Sequence, residues 1–166
     1  MMEDGISIAP APYASPAAYY SPTAGRMEAI EVRKGSSQIK YGPNTTGGSV
    51  NYVSSLIPDH LKLKANMETG SWGLLKTHVN AGTSGEIFGV LLESFTDRTD
   101  GFKKLPKNAS TGYEKNDYLL KLRLNTPAHH KIPVATELKI STTNEISNET
   151  YLGLTRSDFL ISGNNF

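Results

Sequence analysis

Ile30-Glu31-Val32-Arg33-Lys34-Gly35, and then Tyr41-Gly42-Pro43-Asn44-Thr45-Thr46-Gly47-Gly48-Ser49-Val50-Asn51-Tyr52-Val53-Ser54, hold the densest run of turn and strand signals in the chain. Residues 27–35 read as a helix turn or a strand, with charge on both sides of Ile30 and Val32, and Gly35 ends it. Gly-Pro and Gly-Gly then punctuate a turn region. Val50, Tyr52 and Ser54 alternate with Asn51 and Val53, which is the period of a strand.

Working outward, residues 5–25 open as a short alternating strand and pass into a long loop carrying Pro10, Pro12, Pro16 and Pro22. Each proline removes a donor and fixes φ, so neither a helix nor a central strand runs through it. Tyr13, Tyr19 and Tyr20 give that loop amphipathic surface. On the other side, Ile57-Pro58-Asp59 reads as a linker, and beyond it the pattern changes to long strands of period two. Leu61, Leu63, Ala65 and Met67 oppose Lys62, Lys64, Asn66 and Glu68. Phe88, Val90 and Leu92 oppose Gly89, Leu91 and Glu93. Tyr118, Leu120, Leu122 and Leu124 oppose Leu119, Lys121, Arg123 and Asn125, and Leu138 and Ile140 oppose Glu137, Lys139 and Ser141. Gly70-Ser71-Trp72-Gly73 and Thr83-Ser84-Gly85-Glu86 mark short turns, and residues 96–116 read as one long polar loop. Short turns on one side and longer loops on the other suit an outer-membrane barrel. Alternation of this kind also suits a soluble antiparallel sheet with one wet face.

Composition narrows the chemistry. The 166 residues suffice for one ordinary domain. A net charge of +1, from 17 basic and 16 acidic residues, selects no nucleic acid, acidic substrate or anionic surface. Cysteine is absent, which removes disulfides, thiolate metal sites and a cysteine nucleophile. The 15 glycines and 9 prolines, spread among Ser, Thr, Asn and Tyr, predict a β-rich chain with little helix. No run approaches the roughly 18 apolar residues of a spanning helix, and Met1-Met2-Glu3-Asp4 lacks the character of a signal peptide.

The paired blocks quoted first resemble the plug signature of TonB-dependent outer-membrane receptors, of the form IEVxRGxxxxxYGxxxxGGxVNxVT. Glu3-Asp4-Gly5-Ile6-Ser7-Ile8 looks like a plug strand of that family. Ala9-Pro10-Ala11-Pro12-Tyr13 is similar to an apical plug loop of the ferric dicitrate subgroup. Thr99-Asp100-Gly101-Phe102, Asn116-Asp117-Tyr118 and Thr150-Tyr151-Leu152-Gly153-Leu154-Thr155 look like its early barrel segments.

The resemblance implies a mainly β chain: the C-terminal part of an α+β plug over residues 1–57, then the first strands of a transmembrane antiparallel β-barrel over residues 58–166. Such barrels close with about 22 strands. At roughly 9 to 11 residues per strand, residues 58–166 supply about four to six, too few to close. The resemblance implies uptake of a ferric complex, ferric dicitrate or a siderophore, with the TonB energy-coupling protein as partner and no bond of the cargo broken. The implied location is the bacterial outer membrane. The signal peptide, the TonB box and the first half of the plug are expected to be missing, as in a truncated gene, a split reading frame or a partial piece.

The positions matching the family's apical loops are Tyr13 and Ser15, with Ala14 between them, and Asn44 and Thr45, whose hydroxyls and amides can donate to a citrate or siderophore oxygen. The plainer role is that of turn residues bonding to their own backbone. The subgroup's glutamine-type donors in the first loop are replaced here by Ala and Ser. Glu31 and Lys34 match the Glu and Arg that anchor the plug to the barrel wall, and Lys34 turns a bidentate contact into a point charge.

No catalytic or metal-binding constellation emerges. His129 and His130 point to opposite faces of a strand and cannot share a metal. His60 and His78 have no companion spacing. Asp97, Arg98 and Asp100 read as loop residues without a nucleophile or histidine at motif spacing. The expectation is a chain that is not an enzyme and needs no cofactor. Two other classes stay open: a stand-alone soluble β-sandwich that binds a glycan or peptide, which should purify without detergent, and a β-rich hydrolase, for which the sequence offers no nucleophile.

Overall fold

The computed structural model describes residues 1–8, 21–35, 47–103, 110–127, 129, 132–148, 156, 157 and 160. These residues are mainly β, in two open sheets, and the chain divides into two compact units, Met1–Leu56 and Ile57–Phe166. Among the described residues no helix is long and apolar enough to cross a membrane, which leaves crossing by strands unaddressed.

The first unit holds β1 (Met2–Glu3), β2 (Ile6–Ser7), β3 (Ala29–Lys34) and β4 (Gly48–Val53), in the order β2-β1-β4-β3. A 3-10 turn, Ala24–Arg26, leads into β3, so the segment read as a helix turn or a strand is a strand. Asp4 and Gly5 turn the chain between β1 and β2 with φ of 51° and 80°, the paired left-handed geometry that a two-residue Asp-Gly hairpin turn favours. β1 lies parallel to β4, and β3 lies antiparallel to it.

Side chains far apart in sequence lock this arrangement. The Asp4 carboxylate accepts from the Ser54 amide at 2.8 Å and from its hydroxyl at 2.5 Å. Buried Asn51 accepts from the Gly5 amide at 2.8 Å and donates to Glu31 at 3.3 Å, joining the hairpin, β4 and β3 through one amide. Arg26, fully buried, pairs with Glu3 at 3.0 Å. Taking that pair out of water is costly, and losing either partner costs more than replacing both by apolar groups.

The second unit is an antiparallel sheet in chain order: β5 (Lys62–Thr69), β6 (Leu75–Ser84), β7 (Phe88–Thr99), β8 (Tyr113–Asn125) and β9 (Ala135–Ser147). Trp72 and Gly73, at φ 57° and 67°, form the β5–β6 turn, closed by the Leu74 amide donating to Ser71. That turn and the β7–β8 connection share the upper end of the sheet. The Gly85–Ile87 turn and the β8–β9 connection share the lower end, where the Asn125 amide donates to Ile87.

The structure corrects three sequence readings. The stretch 96–116 is not one loop: β7 runs to Thr99 and β8 starts at Tyr113. Asp97 and Arg98 therefore sit in a strand. Ile57 is no free linker residue, because it is buried against Leu91 and Leu119, while the carbonyl of Pro58 accepts from Ser84 at 2.9 Å.

Gly48 marks the tightest approach in the first unit, since a Cβ there would lie 2.6 Å from the Arg33 carbonyl oxygen, whereas one on Gly47 would meet nothing within 4 Å. Gly48→Ala should therefore destabilise the β3–β4 pair by about 1–3 kcal/mol and speed amide exchange through β4, with Gly47→Ala within about 0.5 kcal/mol of the parent. Exchange mass spectrometry on the 47–56 segment measures both.

Candidate functional site

The register of the second sheet sorts its side chains into two faces of opposite chemistry. Opposed residues of an antiparallel ladder share a face, so each row can be followed across all five strands. One row runs Leu63, Ala81, Leu92, Leu120, Ile140. Below it lie Thr83, Val90, Leu122 and Leu138, and then Phe88 and Leu124. Above it lie Ala65, Val79, Ser94, Tyr118 and Thr142. The alternate rows carry Lys64, Asn80, Glu93, Leu119 and Ser141, and then Asn66, His78, Phe95, Asp117 and Thr143.

Burial runs opposite to that of a soluble sheet. On the polar face Asn80, Glu93, Asp117 and Lys121 are buried together with Leu91, Phe95 and Leu119. On the apolar face Leu63 is 72% exposed, Leu92 57% and Ile140 53%, and Phe88, Leu124 and Leu138 are exposed as well. A soluble antiparallel sheet hides its apolar face and wets the other. A contiguous bare apolar surface of this kind marks contact with a nonpolar medium or partner. From Tyr118 to Leu124 the band spans about 20 Å along β8, at about 3.3 Å per residue. Tyr118 stands at its upper edge and Phe88 at its lower. A shallow depression of about 390 Å³ opens on this face, walled by Val79, Leu92, Tyr118 and Ile140.

Above the band the same face turns mixed. Met67, Thr77, Thr96, Asn116 and Asn144 form the next row, and the Thr96 hydroxyl donates to the side-chain carbonyl of Asn116 at 2.9 Å. Thr69, Leu75, Arg98, Glu114 and Ile146 follow, with Met67 and Ile146 exposed. Trp72, at the tip of the β5–β6 turn, is parted from Tyr118 by these two rows.

The polar face is laced by cross-strand contacts between titratable side chains. His78 meets Glu93 at 2.6 Å, Lys115 meets Glu145 at 2.8 Å, Lys121 meets Glu137 at 3.7 Å and Lys76 meets Asp97 at 3.8 Å. Such pairing offsets the cost of removing charge from water. The His78–Glu93 contact escapes sequence reading because its partners are 15 residues apart and meet only through the β6–β7 register. Among the described residues no group of three or more His, Cys, Asp or Glu side chains is placed to hold a metal ion.

The sequence-derived candidates fare unevenly. Tyr13, Ser15, Asn44 and Thr45 lie outside the described residues, as does His130. Glu31 is half-buried on β3 and accepts from Asn51, and Lys34 is exposed at the end of β3 opposite Gly48. His60 and His129 are exposed.

The His78–Glu93 pair should show a coupling of about 1–2 kcal/mol in a double-mutant cycle of His78→Leu and Glu93→Leu. Urea unfolding in neutral detergent, followed by Trp72 fluorescence, reads it. Additive effects would mean that the contact contributes nothing of its own.

No protein-family model matches the chain, and no solved structure matches it.

Proposed function

We propose that the chain is part of a TonB-dependent outer-membrane receptor for a ferric complex, ferric dicitrate or a siderophore. In this reading residues 1–57 are the C-terminal part of the plug and residues 58–166 the first strands of the barrel. The observation that carries the proposal is the inverted sheet: a bare apolar band on one face and buried Asn80, Glu93, Asp117 and Lys121 on the other. Barrel strands crossing an outer membrane alternate in this sense, apolar toward lipid and polar toward the lumen. The upper connection Asp100–Gly112 is longer than either lower one, Gly85–Ile87 and Thr126–Val134, while the upper turn Gly70–Leu74 is short; the longest connection thus lies at the upper end, as a long outer loop would.

Two further observations support it. The Ile30–Gly35 and Tyr41–Ser54 blocks resemble the family's plug signature, and within it Glu31, Gly48 and Asn51 hold positions with physical work to do. Asn51 ties three backbone segments together, and Gly48 admits the Arg33 carbonyl. The sheet also has open edges on β5 and β9 among the described residues. In lipid every edge group must be paired, so this reading requires further strands beside them.

On this reading the chain is no enzyme and takes no cofactor. The ferric chelate is cargo, bound by the apical loops that carry Tyr13, Ser15, Asn44 and Thr45. Glu31 and Lys34 anchor the plug to the wall, and the TonB protein supplies the work. A soluble β-sandwich that binds a glycan or peptide would bury the Leu63–Ile140 row, and the sheet leaves it bare.

Native cysteine is absent, so single cysteines at Leu120 and Lys121, neighbours on opposite faces, can carry an environment-sensitive dye. In phospholipid vesicles the Leu120 dye should shift to the blue and be quenched by brominated acyl chains, and the Lys121 dye should not. Equal behaviour of the two, or a chain that stays in the aqueous phase, would overturn the membrane reading. An immunoblot of fractionated source cells tests the transport reading separately: antibody to residues 96–116 should find an outer-membrane band that rises when iron is scarce. A soluble band indifferent to iron would sink it.

A further inference from the structure

The upper tip of the second sheet carries an aromatic corner that the strands do not need for packing. Trp72 and Phe102 stand with ring centroids 6.0 Å apart and planes inclined at 59°, a tilted ring contact. Both rings are largely in solvent, Trp72 63% exposed and Phe102 68%. Leaving two large aromatic side chains wet forgoes the burial that usually accounts for their presence.

The corner is built rather than loose. Trp72 occupies the left-handed region at φ 57°, a conformation that disfavours residues with a Cβ. Its carbonyl is clamped from the neighbouring strand end by the Asp100 amide at 2.8 Å and the Thr99 hydroxyl at 3.0 Å. Thr99 and Asp100 immediately precede Gly101-Phe102, so the same clamp fixes the approach of the second ring.

A charge sits at the base. The Asp100 carboxylate lies against Gly73, the residue after Trp72, so closely that a Cβ on Gly73 would collide with it. Gly73 thus serves both the turn and the seating of the Asp100 carboxylate against it. Lys76 is drawn toward Asp97, Arg98 faces Glu114 across the ladder, and Lys103 follows Phe102 with its carbonyl accepting from the Thr111 hydroxyl.

Two ring faces and a carboxylate are the elements that recognise a cation with an apolar skin: the rings attract it through their quadrupoles, and the carboxylate supplies the opposite charge. We propose that Trp72, Phe102 and Asp100 form a binding corner for a small organic cation of the alkylated-ammonium kind. An anionic lipid surface is disfavoured by the carboxylate. A wholly apolar partner gains nothing from it. The proposal stands on the tip alone and does not depend on the receptor reading.

Trp72 is the sole tryptophan of the chain, so its fluorescence reports the corner directly. The full chain in neutral maltoside detergent is titrated with choline chloride, with ionic strength held by sodium chloride, and in parallel with 3,3-dimethylbutan-1-ol, the uncharged carbon isostere. Choline should give a saturable change with a dissociation constant on the order of 10 mM, and the isostere a response at least several-fold weaker. Asp100→Asn and Phe102→Leu should each weaken choline binding about two- to five-fold. Phe102→Leu keeps the apolar bulk and removes only the π face, and an unchanged far-ultraviolet dichroism spectrum verifies the fold of each variant. An isostere as effective as choline, a response that does not saturate, or variants that bind like the parent would overturn the proposal.

Discussion

The fixed period of two along a strand, locked by register across five strands, is the constraint on which the second unit depends. A slip of one residue between any two strands would carry Leu92 or Leu120 to the face of Glu93 and Lys121, and would break the rows on both sides at once. The two faces therefore enforce each other. Ion pairs such as Lys121–Glu137 hold the polar rows in step, and their geometry requires Leu120 and Ile140 to stand side by side on the reverse. The bare apolar band is the other half of the same register.

The first unit reaches its order by a different route. Its strands are short, and β1 and β2 have two residues each, too few for ladder bonds alone to determine the arrangement. Buried polar side chains supply the rest. Glu3 with Arg26, Asp4 with Ser54, and Asn51 between Gly5 and Glu31 join positions 20 to 50 residues apart. Each contact must be made with good geometry once the groups leave water, so together they admit few alternatives. The glycines serve this closeness: Gly48 lets β3 and β4 approach, and Gly5 completes the hairpin that puts its amide on Asn51.

The strands were legible to the extent that their contrast was strong. β8 reads plainly from Tyr118 to Asn125 because large aliphatic residues face Lys and Arg. β6 does not, since its apolar side is built of Thr77, Val79, Ala81 and Thr83, small and half polar. The far half of β7 and the start of β8 were read as loop because both faces are polar there: Thr96, Asp97, Arg98, Lys115 and Asn116 leave no alternation to see. Trp72 was read as a turn residue, and its pairing with Phe102, 30 positions on, needed the β6–β7 hairpin to bring the two turns together.

By itself the sequence determined the β character of the chain, the turn at Trp72-Gly73, and the division of β5, β8 and β9 into an apolar and a polar side, because these follow from local sterics and a period of two; the Asp4-Gly5 turn, inside a segment read as strand, came from the structure. Only the tertiary structure decided which side is covered. Alternation is symmetric between a sheet that hides its leucines and one that bares them, and burial arises from what packs against a face, which no local pattern encodes. The same reason accounts for His78 with Glu93, Asp4 with Ser54 and the Trp72–Phe102 corner: each is a meeting of residues far apart in the chain, fixed by register and by the closing of hairpins.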